Sequence, residues 1–576
     1  MRSNTNKIKG AFWIVIFWMS IFFSPSLVNA YSSPKGVVSS ADYSYIKGYV
    51  CDPDDYSRAV QVHFYADYAP AKSGVYLGNV MADEVGDASV GTACGGNVAH
   101  AFSYPTPEGL KGDMPHIVFA YGIDVEQGAH TLLEGAPMIV AAPLPGIPTV
   151  GITGAEETVY DWTTMKCEET DIPDIGVRAF RDVDGKVHLI SSSPNSYENT
   201  GNSLDLVTHS CNKVMSSTEK TPFYDFAYHE WMASPYTLDG TNIYTLIHNE
   251  WYSKILGEPC YGDINNQCWV NSVTLSESND KGKTYHHPDE YKISTPAMRW
   301  KDSDGNQVTR YGAFVPSNIV HYDDYYYAIY WSGDTTGTTR GLHGLETGPC
   351  LMRTKTIASA ATWEKLTKMG WDTSTTAVCS PLVGTTLPLA FQISSLTYNK
   401  YLDAFVAVMY QKTNATTDGI YMAYSKNLLT WTDRIKSFNI RDNKDNYPSL
   451  LDPTDTSMNF EVTGQNPYLY YMNYINPTTN TYDRDLVRKK ITFTKAAENG
   501  VCGAAQGTYL ATDTYWRDPV CTTGLPSPLL PWPFLVPGAT MNWQCVGQNG
   551  GTTASCIATR ASNAVIPNAP SGLGVL

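Results

Sequence analysis

Short runs in which apolar and polar residues alternate, cut by Gly, Pro, Asp or Asn every few positions, fill most of this chain. Val60-Gln61-Val62-His63-Phe64-Tyr65-Ala66 is one, and His116-Ile117-Val118-Phe119-Ala120-Tyr121-Gly122 is another. A period of two turns every second side chain to the same face, so such runs predict short strands rather than helices. Together with Tyr45-Ile46-Lys47-Gly48-Tyr49-Val50-Cys51 they predict a β-sandwich over residues 36–148.

From 152 to 495 the texture becomes repetitive. A polar start word is followed by a strand, a turn rich in Asp, Gly or Asn, a second aromatic strand, and a Ser, Lys or Arg segment ending in an aromatic. Five such units can be placed, around Arg178–Ile190, Ser234–Ile247, Val315–Tyr330, Phe391–Val408 and Tyr447–Met472. Radial repetition of four-stranded sheets protects the edges of an all-β chain. The expected fold class is therefore all-β: a five-bladed β-propeller over 152–495, after an N-terminal β-sandwich. Residues 500–557 hold four cysteines among many Gly, Thr and Pro, which predicts a small disulfide-stapled module. Residues 558–576 read as a tail.

The first thirty residues change the picture. A basic stretch from Met1 to Lys9 precedes an apolar core from Ala11 to Phe23 and the small-residue end Val28-Asn29-Ala30, the pattern of a signal peptide cleaved after Ala30. That predicts a secreted, periplasmic or cell-surface protein with no integral membrane segment in the mature chain. Removing residues 1–30 takes away three basic residues and no acids, so the formal charge of −16 deepens to −19. Such a balance argues against nucleic acid as a partner, because that binding needs basic surface. All twelve cysteines lie beyond the cut and read as disulfides in an oxidising compartment. Pairing near neighbours gives Cys51–Cys94, Cys260–Cys268, Cys350–Cys379, Cys502–Cys521 and Cys545–Cys556, leaving Cys167–Cys211.

Several words carry resemblances. Gly48-Tyr49-Val50-Cys51-Asp52-Pro53-Asp54 with Cys94-Gly95-Gly96-Asn97 resembles an accessory sandwich of exported bacterial proteins. The run Trp543–Cys556 resembles a disulfide-stapled module of bacterial surface proteins. Ser278-Asn279-Asp280-Lys281-Gly282-Lys283-Thr284-Tyr285 is similar to the Asp-box hairpin of sialidase-like propellers. Ser425-Lys426-Asn427-Leu428-Leu429-Thr430-Trp431 resembles the blade ends of five-bladed arabinanase and xylosidase-like glycosidases. That last resemblance implies carboxyl groups at the starts of inner strands: a base that activates water, an acid that protonates the leaving oxygen, and an orienting group. Carried onto this chain, it makes Asp174 the base and Glu230 the acid, with Glu250 as the alternative acid or the orienting group and Asp171 in reserve. The start word here is Ile172-Pro173-Asp174, not the family's Asp-Pro, and the segment before Pro235 lacks the family's Glu-Gly-Pro.

Arg178 interrupts an apolar strand, where its charge needs a partner. It either clamps a substrate carboxylate or bridges two blades. His229, His248, Asn318 and Gln392 sit where they could reach sugar hydroxyls, while Arg353 and Arg484 are expected to tie blades together. No His-Glu-x-x-His, Gly-x-Ser-x-Gly or Gly-x-Gly-x-x-Gly word occurs, and Asp452-Pro453-Thr454-Asp455-Thr456 is not a full calcium loop. No metal site and no cofactor are called for, although a propeller axis leaves room for a structural cation such as calcium. The 39 Tyr and 14 Trp offer flat apolar faces suited to sugar rings. The expected partner is a polysaccharide or other glycan, and the expected function a secreted glycoside hydrolase. The rival functions are a glycan- or protein-binding propeller of lectin or adhesion type, and a polysaccharide lyase in which Arg178 neutralises a uronate.

Overall fold

The computed structural model describes residues 31–562, except 44, 73, 112–115, 125–128, 141–145, 218–220, 253–268, 297–309, 335–345, 385–388, 390–391, 412–416, 440–444, 518 and 531. The expected signal peptide, the Cys260–Cys268 pair, Phe391 and residues 563–576 lie outside the described residues. The chain is nearly all-β, with a few short helical turns.

At the N-terminal end two sheets face each other. One holds Lys35–Ala41, Tyr45–Cys51, Ala99–Pro105 and Glu84–Val85; the other holds Val75–Ala82, Val60–Ala66, Ile117–Ile123 and Thr131–Leu132. The alternation read from the sequence is what packs them. Val60, Val62, Phe64 and Ala66 point inward against Val38, Ile46, Val50 and Phe102, and the residues between them stay half-exposed. A disulfide joins Cys51 to Cys94.

Residues 149–494 build four further sheets. The first is the meander Arg178–Arg181, Val187–Ile190, Asn195–Gly201 and Thr208–Ser216. The next is larger than a single repeat unit. Glu230–Thr237, Ile243–Tyr252 and Trp269–Ser278 pair in order, and Trp269–Ser278 then runs parallel to Arg310–Phe314, which leads into Tyr325–Asp334, Gly348–Thr354, Glu364–Thr367 and Gly370–Asp372. The expected second and third units are thus one ten-stranded sheet. Gly312 permits the junction: its φ is +119°, and a Cβ there would overlap the main chain of Asn271. A five-stranded sheet follows, built on Ile393–Asn399, Ala404–Gln411, Gly419–Ser425 and Ile435–Phe438. In the last sheet, Asp445–Leu451, Tyr468–Tyr474 and Arg484–Thr494 are completed by Thr149–Ile152 and Glu157–Tyr160, from the opposite end of this stretch of chain.

The leading strands of these sheets are covered on both faces; Glu230–Thr237 is buried along its whole length. Side chains stitch these sheets, and the two halves of the ten-stranded one, to one another in sequence order. Ser192 Oγ accepts from Met232 N at 2.9 Å, and the Ser234 hydroxyl donates to the Ser317 carbonyl. The Asn318 amide grips both backbone groups of Leu396, with Leu396 N donating at 2.7 Å. Ser395 Oγ accepts from Leu450 N at 3.2 Å. Arg178 Nη1 donates to Ser449 Oγ at 2.9 Å, and Nη2 donates to the Ser394 carbonyl at 2.5 Å. The N-terminal sandwich is docked on this body: Ile117 and Phe119 share a buried cluster with Val320, Tyr327, Leu366 and Trp371, and the Tyr68 hydroxyl donates to Glu364 Oε1 at 2.6 Å.

The C-terminal sheet holds Gly507–Tyr509, Ala554–Arg560, Thr540–Val546 and Leu525–Ser527 around buried Trp543 and Tyr509. The strand Ala554–Arg560 carries this module past residue 557, so residues 558–560 belong to it and not to a tail. Disulfides join Cys167 to Cys211 and Cys350 to Cys379. The last four cysteines pair as Cys502–Cys556 and Cys521–Cys545, correcting the near-neighbour pairing. The ladder sets Cys545 opposite Ala554 and Cys556 opposite Trp543, so these two are diagonal neighbours with sulfurs 3.5 Å apart, and each is bonded to a cysteine outside this strand pair.

Candidate active site

Strand alternation sorts the candidate residues. In Ile243–Tyr252 the side chains of His248, Glu250 and Tyr252 share one face, where the ladder sets Trp231 opposite His248 and Asn271 opposite Glu250. Glu230 lies opposite Asn249 and faces the other way. Its Oε1 is 2.7 Å from His287 Nε2, while His287 Nδ1 is 2.6 Å from the Leu275 carbonyl. A carbonyl only accepts, so Nδ1 carries a hydrogen. Burial opposes charge on this imidazole, but the hydrogen bond and negative charge of Glu230 outweigh it and hold His287 above its ordinary 6.5. Buried Glu230 and half-buried His287 form an ion pair on the far side of the sheet from Glu250.

On the Glu250 face, His248 Nε2 lies 3.0 Å from Oε1, and the Tyr252 hydroxyl donates to Oε2. His229 is fixed beside them. Its carbonyl accepts from Glu250 N at 2.9 Å, its own N–H donates to the Ser217 carbonyl at 3.0 Å, and its ring stacks on Tyr228 at 4.1 Å. Burial pushes His229 below its usual range, against the pull of Glu250.

Asp174 reaches the same place from the loop before Arg178–Arg181. Its N–H donates to the Ser192 carbonyl at 3.3 Å. Arg484, at the start of Arg484–Thr494, donates from Nη1 to the Asp174 carboxylate and from Nε to the Thr481 carbonyl at 2.6 Å. Burial drives the Asp174 carboxyl above the usual carboxylate range; Arg484 opposes this, and the charge of Glu250 adds to it. Asp174 keeps 21% of its side-chain surface accessible and Arg484 12%. Aromatic rings complete the walls. The Arg484 guanidinium lies 4.7 Å from the Tyr474 ring centre, and Tyr447, 5.8 Å from Tyr410, has its hydroxyl held well above 10 by burial and by Asp174. Both His229 (φ +48°) and Tyr447 (φ +54°) are left-handed, a costly conformation for bulky residues.

The other candidates stand elsewhere. Arg178 is 3% exposed, with Nη1 and Nη2 on the Val177 carbonyl, Ser449 and Ser394, and burial lowers it to about 9. Asn318 staples two sheets. Gln392 precedes Ile393–Asn399, and its Nε2 is buried without a hydrogen-bond partner among the described residues. The Asp171 carboxylate takes His209 Nε2 and Cys167 N, both at 2.9 Å, beside the Cys167–Cys211 bridge. Arg353 pairs with Glu364 at 3.0 Å over Trp371 and Tyr325. Arg484, expected as a tie between blades, joins the last sheet to the loop before the first through Asp174 and so stands beside the candidate carboxyls. Trp231, Tyr252, Tyr447 and Tyr474 escaped the sequence reading, since nothing in their spacing links residues more than two hundred positions apart. Among the described residues, the groups with metal-ligand chemistry are Cys167, His209 and Cys211, and Cys502, Cys545 and Cys556. Every cysteine in them is already in a disulfide.

No family model matches the chain, and no curated protein matches it. Among solved structures, the chain is similar to an endo-1,5-α-L-arabinanase from Thermotoga petrophila RKU-1, at 11% identity and a TM-score of 0.33, over 55% of this chain and 71% of that one. It is also similar to the GH43 BlXynB protein from Bacillus licheniformis, at 9% identity and a TM-score of 0.29, over 56% of this chain and 54% of that one. A third is levansucrase from Bacillus subtilis, at 10% identity and a TM-score of 0.26, over 54% of this chain and 85% of that one. Each likeness extends over little more than half of this chain.

Proposed function

We propose that this chain is an exported glycoside hydrolase whose carboxyl pair is Asp174 and Glu250. The observation that carries the reading is their convergence: the charge of Glu250 reaches Asp174 and raises its proton affinity, in one partly closed place walled by Tyr447, Tyr474 and Trp231. Two neighbouring carboxyls resist ionising together, which suits one to accept a proton and the other to donate one. Burial raises the proton affinity of Asp174 while Arg484 supports its negative charge, a balance that suits activation of water. Glu250, held at both oxygens by His248 and Tyr252, is placed to give its proton to the leaving oxygen. Glu230, which the family resemblance favoured as acid, is engaged by His287 and takes no part in this reading.

A five-bladed propeller over residues 152–495 belongs to the same proposal. It is supported by the serine, asparagine and arginine links that join each repeat unit to the next and return through Arg178 to the first. Export is supported by the basic and apolar opening of the chain and by the five disulfides among the described residues. Among those residues no helix is long and apolar enough to cross a membrane.

The ion pair of Asp174 with Arg484 favours a second reading, a non-catalytic site that binds sugar hydroxyls between charged and aromatic groups. The lyase reading finds no support at Arg178, whose terminal nitrogens all face protein oxygens. A panel of neutral and acidic polysaccharides separates these functions: hydrolysis releases reducing ends, a lyase releases products absorbing in the ultraviolet, and a lectin binds without either. Asp174→Asn and Glu250→Gln are expected to lower cleavage at least about a thousandfold with the fold intact. Normal cleavage by both variants would remove the assignment.

A further inference from the structure

The far ends of the leading strands, away from Asp174, meet a single segment. Residues 452–464 leave Asp445–Leu451 and return to the last sheet, and on the way they touch each of the other three. The Met458 carbonyl accepts from Arg181 N at 2.6 Å in the first sheet. Asn459 Oδ1 accepts from Thr237 N at 2.8 Å and its Nδ2 donates to the Thr237 carbonyl at 2.9 Å, at the near end of the ten-stranded sheet. Glu461 bridges that same end to a later strand: Oε1 accepts from the Tyr236 hydroxyl at 3.0 Å and Oε2 from His321 N at 2.5 Å. The Glu461 carbonyl accepts from Tyr398 N, and Val462–Thr463 runs parallel to Tyr398 and Asn399 in the five-stranded sheet. Gly464 N then returns to Asp452 Oδ2 at 2.6 Å.

Glu461 is the titratable group at the middle of this crossing, and among the described residues no ion pair to it is found; Arg181, a cation that touches the segment, donates instead to the Asp455 carbonyl at 3.3 Å and lies 5.1 Å from the Phe460 ring centre. The titratable groups that face it are Tyr236 on Glu230–Thr237, His321 on Val320–Tyr322, Tyr326 on Tyr325–Asp334, and Asp455 on its own segment. The His321 ring is turned onto Tyr326, 4.7 Å between centres, so only its backbone N–H serves the carboxylate. Asp455 adds negative charge of its own.

We propose that residues 452–464 are a proton-controlled latch across the far ends of the leading strands, held shut while Glu461 is protonated and loosened when it ionises. Burial pushes the Glu461 carboxyl up to about 7, with Asp455 adding to the rise and the bonds from His321 and Tyr236 opposing it. The sign follows from linkage. The latched state binds the proton more tightly than the released one, so closure is favoured in acid and weakens as pH rises from the ordinary 4.5 of the released carboxyl to about 7. Between pH 6 and pH 8, an interval that spans the upper end of that window, opening becomes about tenfold more favourable. This latch lies apart from the catalytic proposal and stands or falls without it.

Amide hydrogen exchange of the whole protein tests it, with rates corrected for the intrinsic effect of pH. Protection of residues 452–466 and of Tyr398 is expected to fall about tenfold between pH 6 and pH 8, while Ile243–Tyr252 stays unchanged. Glu461→Gln, which mimics the protonated carboxyl, is expected to keep the same protection at both pH values. Asp455→Asn, which retains an oxygen acceptor but removes a charge, is expected to move the midpoint to lower pH. Equal wild-type protection at both pH values overturns the latch. So does a fall that persists in Glu461→Gln, or a midpoint that Asp455→Asn leaves in place.

Discussion

A single ladder step separates Glu230 from a role beside Glu250. Because neighbouring residues on a strand face opposite ways, Trp231 joins the site and Glu230 is turned into the sheet, where His287 neutralises it. The pair has a testable pH signature. His287 titrates above 6.5 in the fold, so its contribution is fully present below pH 6.5 and is lost as pH rises through the raised value. Glu230→Gln is expected to cost roughly 2–3 kcal/mol at pH 6 by leaving His287 without its anion. The variant should lose less stability than the wild type on going to pH 8, as melting temperatures across that range will show. Cleavage per folded molecule should stay near that of the wild type. The residue types of the site were legible in the sequence, for Asp174, Glu250, His229 and His248 all stand out there. What was not legible is which face each side chain takes, since that depends on a register fixed by pairing with distant strands.

At the scale of elements, turns and close approaches decide how the strands join. The hairpin over Ser278–Tyr285 does what its residues dictate: Asp280 Oδ1 accepts from Lys283 N at 3.0 Å and Thr284 N at 2.9 Å, Gly282 takes φ +84°, and Tyr285 packs on the cluster containing Phe180. The junction at Gly312 was invisible beforehand, because a parallel pairing between Trp269–Ser278 and Arg310–Phe314 leaves no local mark. Gly312→Ala puts a Cβ into the main chain of Asn271, directly opposite Glu250 in the ladder. It is expected to cost more than about 1 kcal/mol and to lower activity as well, read as a shifted denaturant midpoint at unchanged slope together with a reduced kcat. Near-neighbour pairing of the last four cysteines failed for the same kind of reason: hairpin register, rather than separation along the chain, sets which sulfurs meet.

Across the whole molecule, the sandwich is more than an appendage. Ile117 and Phe119 alternate with residues of the sandwich's own core and enter a cluster shared with Tyr327, Leu366 and Trp371. Phe119→Ala empties that junction and is expected to cost about 3–4 kcal/mol. Calorimetry should then show two transitions where the wild type has one. The last sheet joins Thr149–Ile152 to Arg484–Thr494, so the two ends of this long β stretch are tied in one ladder and the sheets between them are confined.

The sequence by itself determined that this is an all-β chain of short strands, where the turns fall, and which residues could do acid–base work. Those properties follow from alternation, from Gly and Asp in turns, and from side-chain chemistry, all of which act over a few residues. Only the tertiary structure decided that Asp174 meets Arg484, 310 residues away, that Glu230 turns from Glu250 toward His287, and that residues 452–464 cross under the other sheets. Each of these rests on strand register and on packing between sheets. Both are set by contacts between distant parts of the chain, and no local pattern records them.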